Sequence, residues 1–327
     1  MTSRTLPASA KDTTVLFAHA AYRLGDALAR RNTGIKYIEA RSPDEVLAGI
    51  AEANVVCVSM MWRNDWLDKA PKLGLVQSVS AGMNQYDVAR FKAAGVRLAS
   101  AQGVNARAVA EHAIALILSL TRQLHLARDN QHKKVWRGMI GDPALREDEL
   151  QGKTVLIVGL GGIGGRLAQI AKAFDMKVIG TRRDPSKGSG GANEVFADAE
   201  LVKVLPRADF VVLTCPITPE TTGLMSAAAF AAMKPGAKLV NVARGPVVDE
   251  PALIAALQSG RLGAAGIDVT VEEPLGPTSP LWAMPNVIIT PHTAGETAAY
   301  EENVVDILVE NIGRLQRGEA KLRNEFA

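Results

Sequence analysis

A glycine-rich segment in the middle of the chain constrains the fold more than any other feature. The run Thr154–Val158 before it is apolar and rich in branched residues, as in a strand buried on both faces of a parallel sheet. Apolar side chains then recur at helical spacing, at Ile163, Leu167, Ile170 and Phe174. A strand that turns through glycines directly into a helix predicts a doubly wound α/β domain.

Each glycine of this turn has a separate physical use. Gly159 permits a tight turn, Gly161 lets the backbone approach a pyrophosphate, and Gly164 lets the helix pack closely on the strand. The positive end of the helix would then face the phosphates. The segment predicts a dinucleotide site, and the alternative is a purely structural turn.

The residues after the second strand indicate which dinucleotide is bound. That strand is predicted at Lys177–Gly180 and ends in Thr181, where an acidic side chain usually holds the ribose hydroxyls. Arg182 and Arg183 stand there instead, and a guanidinium matches the geometry of a phosphate. We therefore predict that NADP (NADPH) is preferred over NAD, unless both arginines are only solvated loop charges.

Composition limits the remaining classes of function. The 327 residues are 47% hydrophobic and 22% charged, with a net charge of +3 and no concentrated basic run, so no nucleic acid partner is expected. The N-terminus lacks a signal-like apolar core and Ala113–Leu120 is too short to span a bilayer, so we expect a cytoplasmic protein without a membrane partner. Cys57 and Cys215 lack metal-ligand spacing and are predicted to be buried thiols, with no metal site.

The first third of the chain predicts a small α/β unit of its own. Strands are expected at 14–17, 35–38, 54–59 and 75–79, with helices between them. Ser42 and Glu45 form a predicted capping box at the start of the second helix. This unit has no glycine turn for phosphates, so we expect it to contact substrate.

A long helix from Asn105 to about His125 leads into the second part of the chain. Strands then resume at Phe210–Thr214, Lys238–Val242, Ala265–Val269 and Val287–Thr290, and a last helix at about 296–316 returns to the N-terminal unit. The domains are therefore predicted as 104–293 for dinucleotide binding, inserted into a substrate domain made of 1–103 and 294–327.

Three charged or titratable residues follow predicted strands, on the side where ligands bind in open α/β sheets. Arg244 can hold a carboxylate through two hydrogen bonds. Glu273 beside His292 would favour the charged ring and fix its orientation, which suits proton donation during carbonyl reduction. Each residue also has an alternative without a function. Arg244 would form a loop salt bridge, Glu273 would be a surface acid, and His292 would be a packed loop histidine.

These motifs together resemble the D-isomer-specific 2-hydroxyacid dehydrogenase family. The resemblance is carried by NARAVAEHAIALILSLTR, LQGKTVLIVGLGGIG, CPITPETTGL, NVARGPVVDE, GIDVTVEEPL and SPLWAMPNVIITPHTAG, which lie between residues 105 and 295. The first hundred residues match only in layout and in Ser80-Ala81-Gly82. The resemblance implies a Rossmann-type doubly wound parallel sheet domain, inserted into a smaller flavodoxin-like α/β substrate domain, and a homodimer with its active site between the domains.

The resemblance also implies roles for individual residues. His292 would be the general acid/base, Glu273 its hydrogen-bonded partner, and Arg244 the group that holds the substrate carboxylate and carbonyl, helped by amides of Ser80, Ala81 and Gly82. The cofactor residues would be the turn Gly159, Gly161, Gly162, Ile163 and Gly164, then Thr181, Arg182, Arg183, Cys215, Pro216, Thr222 and Ala243, with Asp268 on the nicotinamide amide.

The departures from the family pattern refine the expectation. The arginine at 182 makes the chain similar to the glyoxylate or hydroxypyruvate reductase type, which reduces a small-molecule 2-oxo acid to a 2-hydroxy acid. Trp62 is a candidate wall of the substrate pocket, against the alternative of plain surface packing. A corepressor-like protein that binds the dinucleotide without turnover stays open as the second reading.

Overall fold

The structure is a computed structural model and describes residues 4–327. The chain divides into two compact units, one made of the residues up to Asn105 with Thr297–Ala327 and the other of Ala106–Glu296. The assignment of 1–103 with 294–327 to substrate and of 104–293 to the dinucleotide stays a prediction. Residues 1–3 of the predicted substrate domain lie outside the described range.

The first unit contains a five-stranded parallel sheet. Its strands are β1 (Thr14–Ala18), β2 (Lys36–Ala40), β3 (Val55–Val58), β4 (Leu75–Ser78) and β5 (Arg97–Ala99). Their order in space is β2-β1-β3-β4-β5. This is the flavodoxin-like doubly wound order, and ligands in such sheets bind beyond the carboxyl ends of the strands.

The second unit contains a seven-stranded parallel sheet. Its strands are β6 (Thr154–Val158), β7 (Lys177–Arg182), β8 (Glu194–Ala197), β9 (Phe210–Leu213), β10 (Lys238–Asn241), β11 (Ala264–Ile267) and β12 (Val287–Ile289). Read from one edge the order is β8-β7-β6-β9-β10-β11-β12, with a reversal of winding next to β6. The predicted α/β class with a Rossmann-type sheet is confirmed.

Helices cover both sheets and connect their strands. In the described part of the chain they are α1 (Leu24–Ala29), α2 (Pro43–Gly49), α3 (Val88–Ala94), α4 (Ala106–Thr121), α5 (Leu124–His132), α6 (Gly162–Ala173), α7 (Leu201–Val204), α8 (Ala227–Ala232), α9 (Glu250–Gln258) and α10 (Tyr300–Gln316). Within residues 4–327, no helix has the length and apolar character needed to cross a bilayer.

Some elements differ from the sequence-based expectation. Strands β5 and β8 were not expected, because one has three residues and the other is a half-exposed edge strand without a buried apolar run. The predicted helix 105–125 ends at Thr121, since Gln123 adopts a left-handed conformation with φ of 51° before α5 begins. The last helix begins at Tyr300, four residues later than expected.

Two local predictions also need correction. Ser42 caps α2 by accepting from the amide of Glu45 at 3.3 Å, but the Glu45 carboxylate bonds the amide of Arg41 and not that of Ser42, so the capping box is incomplete. Phe174 is not on the apolar face of α6, because the helix ends at Ala173 and the ring is 38% exposed.

The carboxyl ends of the second sheet determine where its candidate site residues lie. Because all its strands are parallel, the residues that follow them meet at one edge of the sheet. The glycine turn follows β6, and Cys215, Arg244, Asp268 and His292 follow β9, β10, β11 and β12. In the first unit, Ser80 follows β4 in the same way.

Candidate active site

The glycine turn after β6 is built by close backbone packing. Gly159 has a φ of +101°, and a Cβ there would lie 2.8 Å from the backbone of Cys215, so no other residue fits. A Cβ on Gly164 would overlap the carbonyl oxygen of Gly159. These two glycines let β6, β9 and α6 approach one another, as the sequence predicts.

The space above the same turn is open and suits a phosphate group. A Cβ on Gly161 would meet no atom within 4 Å. Gly161 is also the N-cap of α6, and among residues 4–327 no side chain caps the amides of the first helical turn, which includes Gly162 and Ile163. Uncapped amides at the positive end of a helix bind anions, so the turn fits the pyrophosphate of a dinucleotide.

The three residues at the end of β7 have different surroundings. The Thr181 side chain is fully buried, and its hydroxyl has no hydrogen-bond partner among residues 4–327. Nη1 of Arg182 donates to the carbonyl oxygens of Lys187 at 3.1 Å and Gly188 at 2.8 Å. The Arg183 side chain is exposed. Arg182 therefore braces the following loop, a use that the sequence did not predict, and Arg183 is the more accessible cation.

The segment after β9 forms a tight threonine-rich turn. Cys215 is buried, which raises the pKa of its thiol to about 11, and Pro216 is exposed beside it. The carbonyl oxygen of Pro216 accepts a hydrogen bond from Thr221, and that of Thr218 accepts one from Thr222, both at 2.8 Å. These bonds fix the conformation of the turn. The turn begins next to the glycine segment, because Cys215 contacts Gly159.

The structure brings His292 and Glu273 together. Nδ1 of His292 lies 2.7 Å from Oε2 of Glu273, although the residues are 19 positions apart. The second carboxylate oxygen accepts from the amide of Thr270 at 3.2 Å. His292 has a φ of +55°, and its side chain and that of Glu273 stay 47% and 38% exposed, so both can be reached by a ligand.

Arg244 lies at the end of the neighbouring strand β10. Its side chain is exposed, and Nη1 donates to the carbonyl oxygen of Ala243 at 2.6 Å. The next residue, Gly245, packs against the backbone of Thr270, in the loop that leads to Glu273. The loops after β10 and β11 are therefore in contact, and the other donors of the guanidinium are available to a substrate.

Asp268 organises the loop that carries His292, a use that the sequence did not reveal. Its carboxylate is buried and accepts from the Thr290 hydroxyl at 2.6 Å and from the amides of Thr293 at 2.9 Å and Ala294 at 3.1 Å. Its backbone oxygen accepts from the amide of His292 at 2.8 Å. An aspartate directly after an apolar strand was the available signal.

A cavity of about 580 Å³ lies beside these groups. Asp268, Glu273 and His292 line it together with the apolar side chains of Leu275, Trp282 and Ile289. This volume is within the range of small-molecule sites, which combine apolar walls with a few polar groups.

The predicted substrate residues Ser80, Ala81 and Gly82 lie in the first unit. The Ser80 hydroxyl lies 2.7 Å from that of Ser59, and the Ser80 amide donates to Ser78. Ala81 and Gly82 are exposed, and none of the described residues accepts a hydrogen bond from their amides. Two free amides in a braced turn are suited to a carboxylate.

Trp62 does not form an open wall. Its side chain is 5% exposed and packs against the rings of Trp66, Tyr86 and Phe91, with its indole N–H bonded to Asn64 at 2.9 Å. Interior packing of the first unit therefore accounts for this residue.

Known proteins are similar to this chain in sequence and in fold. Residues 114–294 match the family model for the D-isomer specific 2-hydroxyacid dehydrogenase, NAD binding domain. Glyoxylate/hydroxypyruvate reductase B of Citrobacter koseri is 40% identical over 248 residues, which are 75% of this chain and 76% of that protein. D-3-phosphoglycerate dehydrogenase of Mycobacterium bovis is 35% identical over 288 residues, 87% of this chain but 53% of that protein, so the chain spans about half of its length.

A solved structure agrees with both relatives. The crystal structure of a D-isomer specific 2-hydroxyacid dehydrogenase from Xanthobacter autotrophicus Py2, in complex with NADPH and MES, has a TM-score of 0.76 and 30% identity. The match covers 97% of this chain and 98% of that one. The chain therefore belongs to the D-isomer specific 2-hydroxyacid dehydrogenase family and is an oxidoreductase that uses a nicotinamide dinucleotide.

Proposed function

We propose that this protein reduces a small 2-oxo acid, such as glyoxylate or hydroxypyruvate, to the D-2-hydroxy acid with NADPH. The observation that carries the proposal is the 2.7 Å contact between His292 and Glu273 at the sheet edge that also holds the glycine turn. A carbonyl reduction needs a proton donor next to a dinucleotide site, and this pair supplies one. The similarity to glyoxylate/hydroxypyruvate reductase B supports the substrate class.

His292 is the proton donor in this proposal. Glu273 accepts from Nδ1–H, which leaves Nε2 of the ring to carry the proton that passes to the substrate oxygen. The carboxylate also stabilises the positive charge on the ring before transfer. Glu273 thus orients the imidazole and keeps its reactive nitrogen directed away from the pair.

Arg244 binds the acid in this proposal. The exposed guanidinium of Arg244 keeps donors for the substrate carboxylate and for the carbonyl oxygen that becomes negative during reduction. In the first unit, the free amides of Ala81 and Gly82 are themselves suited to a carboxylate. Holding the carboxylate and the carbonyl oxygen together would fix the orientation of the acid, which is a large part of the rate enhancement.

The dinucleotide supplies the hydride when it is bound. The glycine turn would hold its pyrophosphate with Thr222 nearby, Cys215 and Pro216 would flank the adenosine, and Ala243 and Asp268 would contact the nicotinamide end. Arg183 and Lys187 would bind the 2′-phosphate, with Arg182 bracing their loop through two backbone carbonyls. The preference for NADP is supported by these cations and by the NADPH-bound relative.

An exposed apolar segment supports a homodimer. In the segment 133–149 that follows α5, Trp136 is 98% exposed, and Val135, Met139 and Leu145 are also exposed. A groove of about 670 Å³ lies between this segment and α5. Protruding apolar side chains beside a groove can pair with a second copy of the same surface, as in twofold symmetric dimers.

One assay tests the reaction. NADPH oxidation is followed at fixed enzyme with glyoxylate, hydroxypyruvate, pyruvate and phenylpyruvate, in parent protein and in His292→Ala. We expect turnover on at least one acid, and a loss of about 10²–10⁴-fold in kcat/KM for the variant. Absence of turnover on all four acids, with tight dinucleotide binding, would instead favour the binding-protein alternative.

The cofactor preference is tested with the same assay. We expect kcat/KM to be higher with NADPH than with NADH, and Arg183→Ala to reduce this ratio by about tenfold or more, because it removes a phosphate ligand. Arg166→Ala is the matched control, since that arginine lies on α6 and its Nη1 bonds Gln169. Equal or better efficiency with NADH in the parent protein would refute the preference.

A further inference from the structure

A histidine outside the proposed catalytic pair is connected to the same loop. His112 lies on α4, and its Nε2 is 2.9 Å from the Thr290 hydroxyl and 3.7 Å from Oδ1 of Asp268. Its side chain is 23% exposed. The three residues come from α4 and from the ends of β12 and β11.

The direction of the hydrogen bonds in this group follows from the chemistry of the hydroxyl. The Thr290 hydroxyl has one proton to donate. Because the Asp268 carboxylate can only accept, the hydroxyl donates this proton to Oδ1 of Asp268, at 2.6 Å. The Thr290 oxygen can therefore only accept from His112. Nε2 of His112 carries a proton, and a donor chain runs from His112 through Thr290 to Asp268.

Asp268 is the acceptor that connects this chain to the site. Oδ1 accepts from Thr290 and from the amide of Thr293. The amide of Ala294 is shared between Oδ1 at 3.2 Å and Oδ2 at 3.1 Å, and it is the one donor to Oδ2 among the described residues. A carboxylate oxygen accepts about two hydrogen bonds. Oδ2 thus keeps one position for a ligand donor, such as the carboxamide N–H₂ of the dinucleotide.

We propose that His112 is a positioning residue, which through Thr290 fixes the Asp268 carboxylate and so determines both dinucleotide affinity and the position of His292. This proposal rests on the proposed function for its catalytic part only. The Asp268 carboxylate bonds two amides directly after His292, and its backbone oxygen bonds the amide of His292 itself. A rotation of the carboxylate would therefore be transmitted to the loop.

Two substitutions at His112 separate donation from packing. His112→Gln places an amide nitrogen near the position of Nε2 and keeps the donor, whereas His112→Leu has similar bulk without one. We expect His112→Leu to weaken NADPH binding about tenfold, the effect of losing one hydrogen bond in a charged network, and His112→Gln to stay within about threefold of the parent. Binding is measured by quenching of protein fluorescence, which needs no turnover.

A double mutant tests whether the effect passes through Thr290. If it does, His112→Leu with Thr290→Val should bind NADPH no more weakly than Thr290→Val alone. The matched control is His125→Leu, because His125 also bonds a residue before β12, the carbonyl of Pro285 at 3.0 Å, but has no bond to Asp268. This control should leave NADPH affinity unchanged.

The outcomes distinguish this proposal from the reductase proposal. Unchanged affinity in His112→Leu, equal losses in the Gln and Leu variants, or additive losses in the double mutant would each overturn the role of His112. If no 2-oxo acid is reduced, the reductase proposal fails. The NADPH affinities of the His112 variants relative to the parent protein still test the role of His112. If turnover is found, kcat should fall in His112→Leu and recover in His112→Gln.

Discussion

Replacing Gly245 with alanine should separate two loops that carry proposed catalytic side chains. Gly245 follows Arg244 after β10 and packs against the backbone of Thr270 and Val271, which leads to Glu273. A Cβ at 245 would overlap the Thr270 carbonyl group and lie 2.5 Å from the Val271 nitrogen. Ordinary contacts are about 3.5 Å, and the Thr270 carbonyl group would be closer than this nitrogen, so the loops must separate by at least about 1 Å.

The size of the effect follows from this displacement. The clash is between backbone atoms and cannot be relieved by a side-chain rotation, so we expect the upper end of the overpacking range, about 3 kcal/mol. For a unit of this size, that corresponds to a fall in Tm of about 6–12 °C. A displacement of about 1 Å between Arg244 and Glu273 should also lower kcat/KM about 10²-fold.

Thermal melting by circular dichroism and NADPH-dependent turnover measure the two effects. Gly313→Ala is the matched control, because an added Cβ there would meet only the end of the flexible Arg317 side chain, which can move away. It should melt like the parent protein. A Gly245→Ala variant with parental Tm and kcat/KM would show that the loops after β10 and β11 are not in close contact, and the reasoning would be refuted.

Three further predictions concern single groups. Glu273→Gln should lower kcat/KM about 10²-fold with little change in Tm, because the amide oxygen still orients His292 but the charge that stabilises its protonated ring is lost; unchanged kcat/KM would contradict this role. Burial raises the pKa of Cys215 to about 11, so about one thiol in a thousand is ionised at pH 8. Iodoacetamide should therefore label Cys215 slowly in the native protein and rapidly in urea, which mass spectrometry measures. If the proposed dimer forms through the segment 133–149, Trp136→Ser with Met139→Ser should give a species of 34.7 kDa in light scattering, where the parent protein has twice that mass. A parental mass in the variant would exclude this segment as the contact.

Local sequence patterns were sufficient for most of the secondary structure. Apolar runs of four or five residues predicted the central strands, because burial on both faces needs continuous apolar sequence. The same reasoning could not detect β8, whose side chains are partly exposed. It also extended α4 too far, since the left-handed residue Gln123 carries no mark in the periodicity.

The end of β7 shows why a position can be predicted when a role cannot. The sequence places Arg182 at the position of the side chain that usually binds the ribose, and the strand does end there. Its guanidinium is directed to the carbonyl oxygens of Lys187 and Gly188 by the course of a loop rich in glycine. Backbone carbonyls are present in every sequence, so their use as acceptors is decided by the path of the chain.

The sequence by itself determined the glycine turn, the parallel α/β architecture and the residues that follow each strand, because these depend on local conformation and on burial patterns. Only the tertiary structure decided which side chains meet. His112 reaches Thr290 across 178 positions, and Asp268 holds the loop of His292 through amides 25 and 26 positions away. Hydrogen bonds need atoms within about 3 Å, and separation along the sequence does not specify that distance.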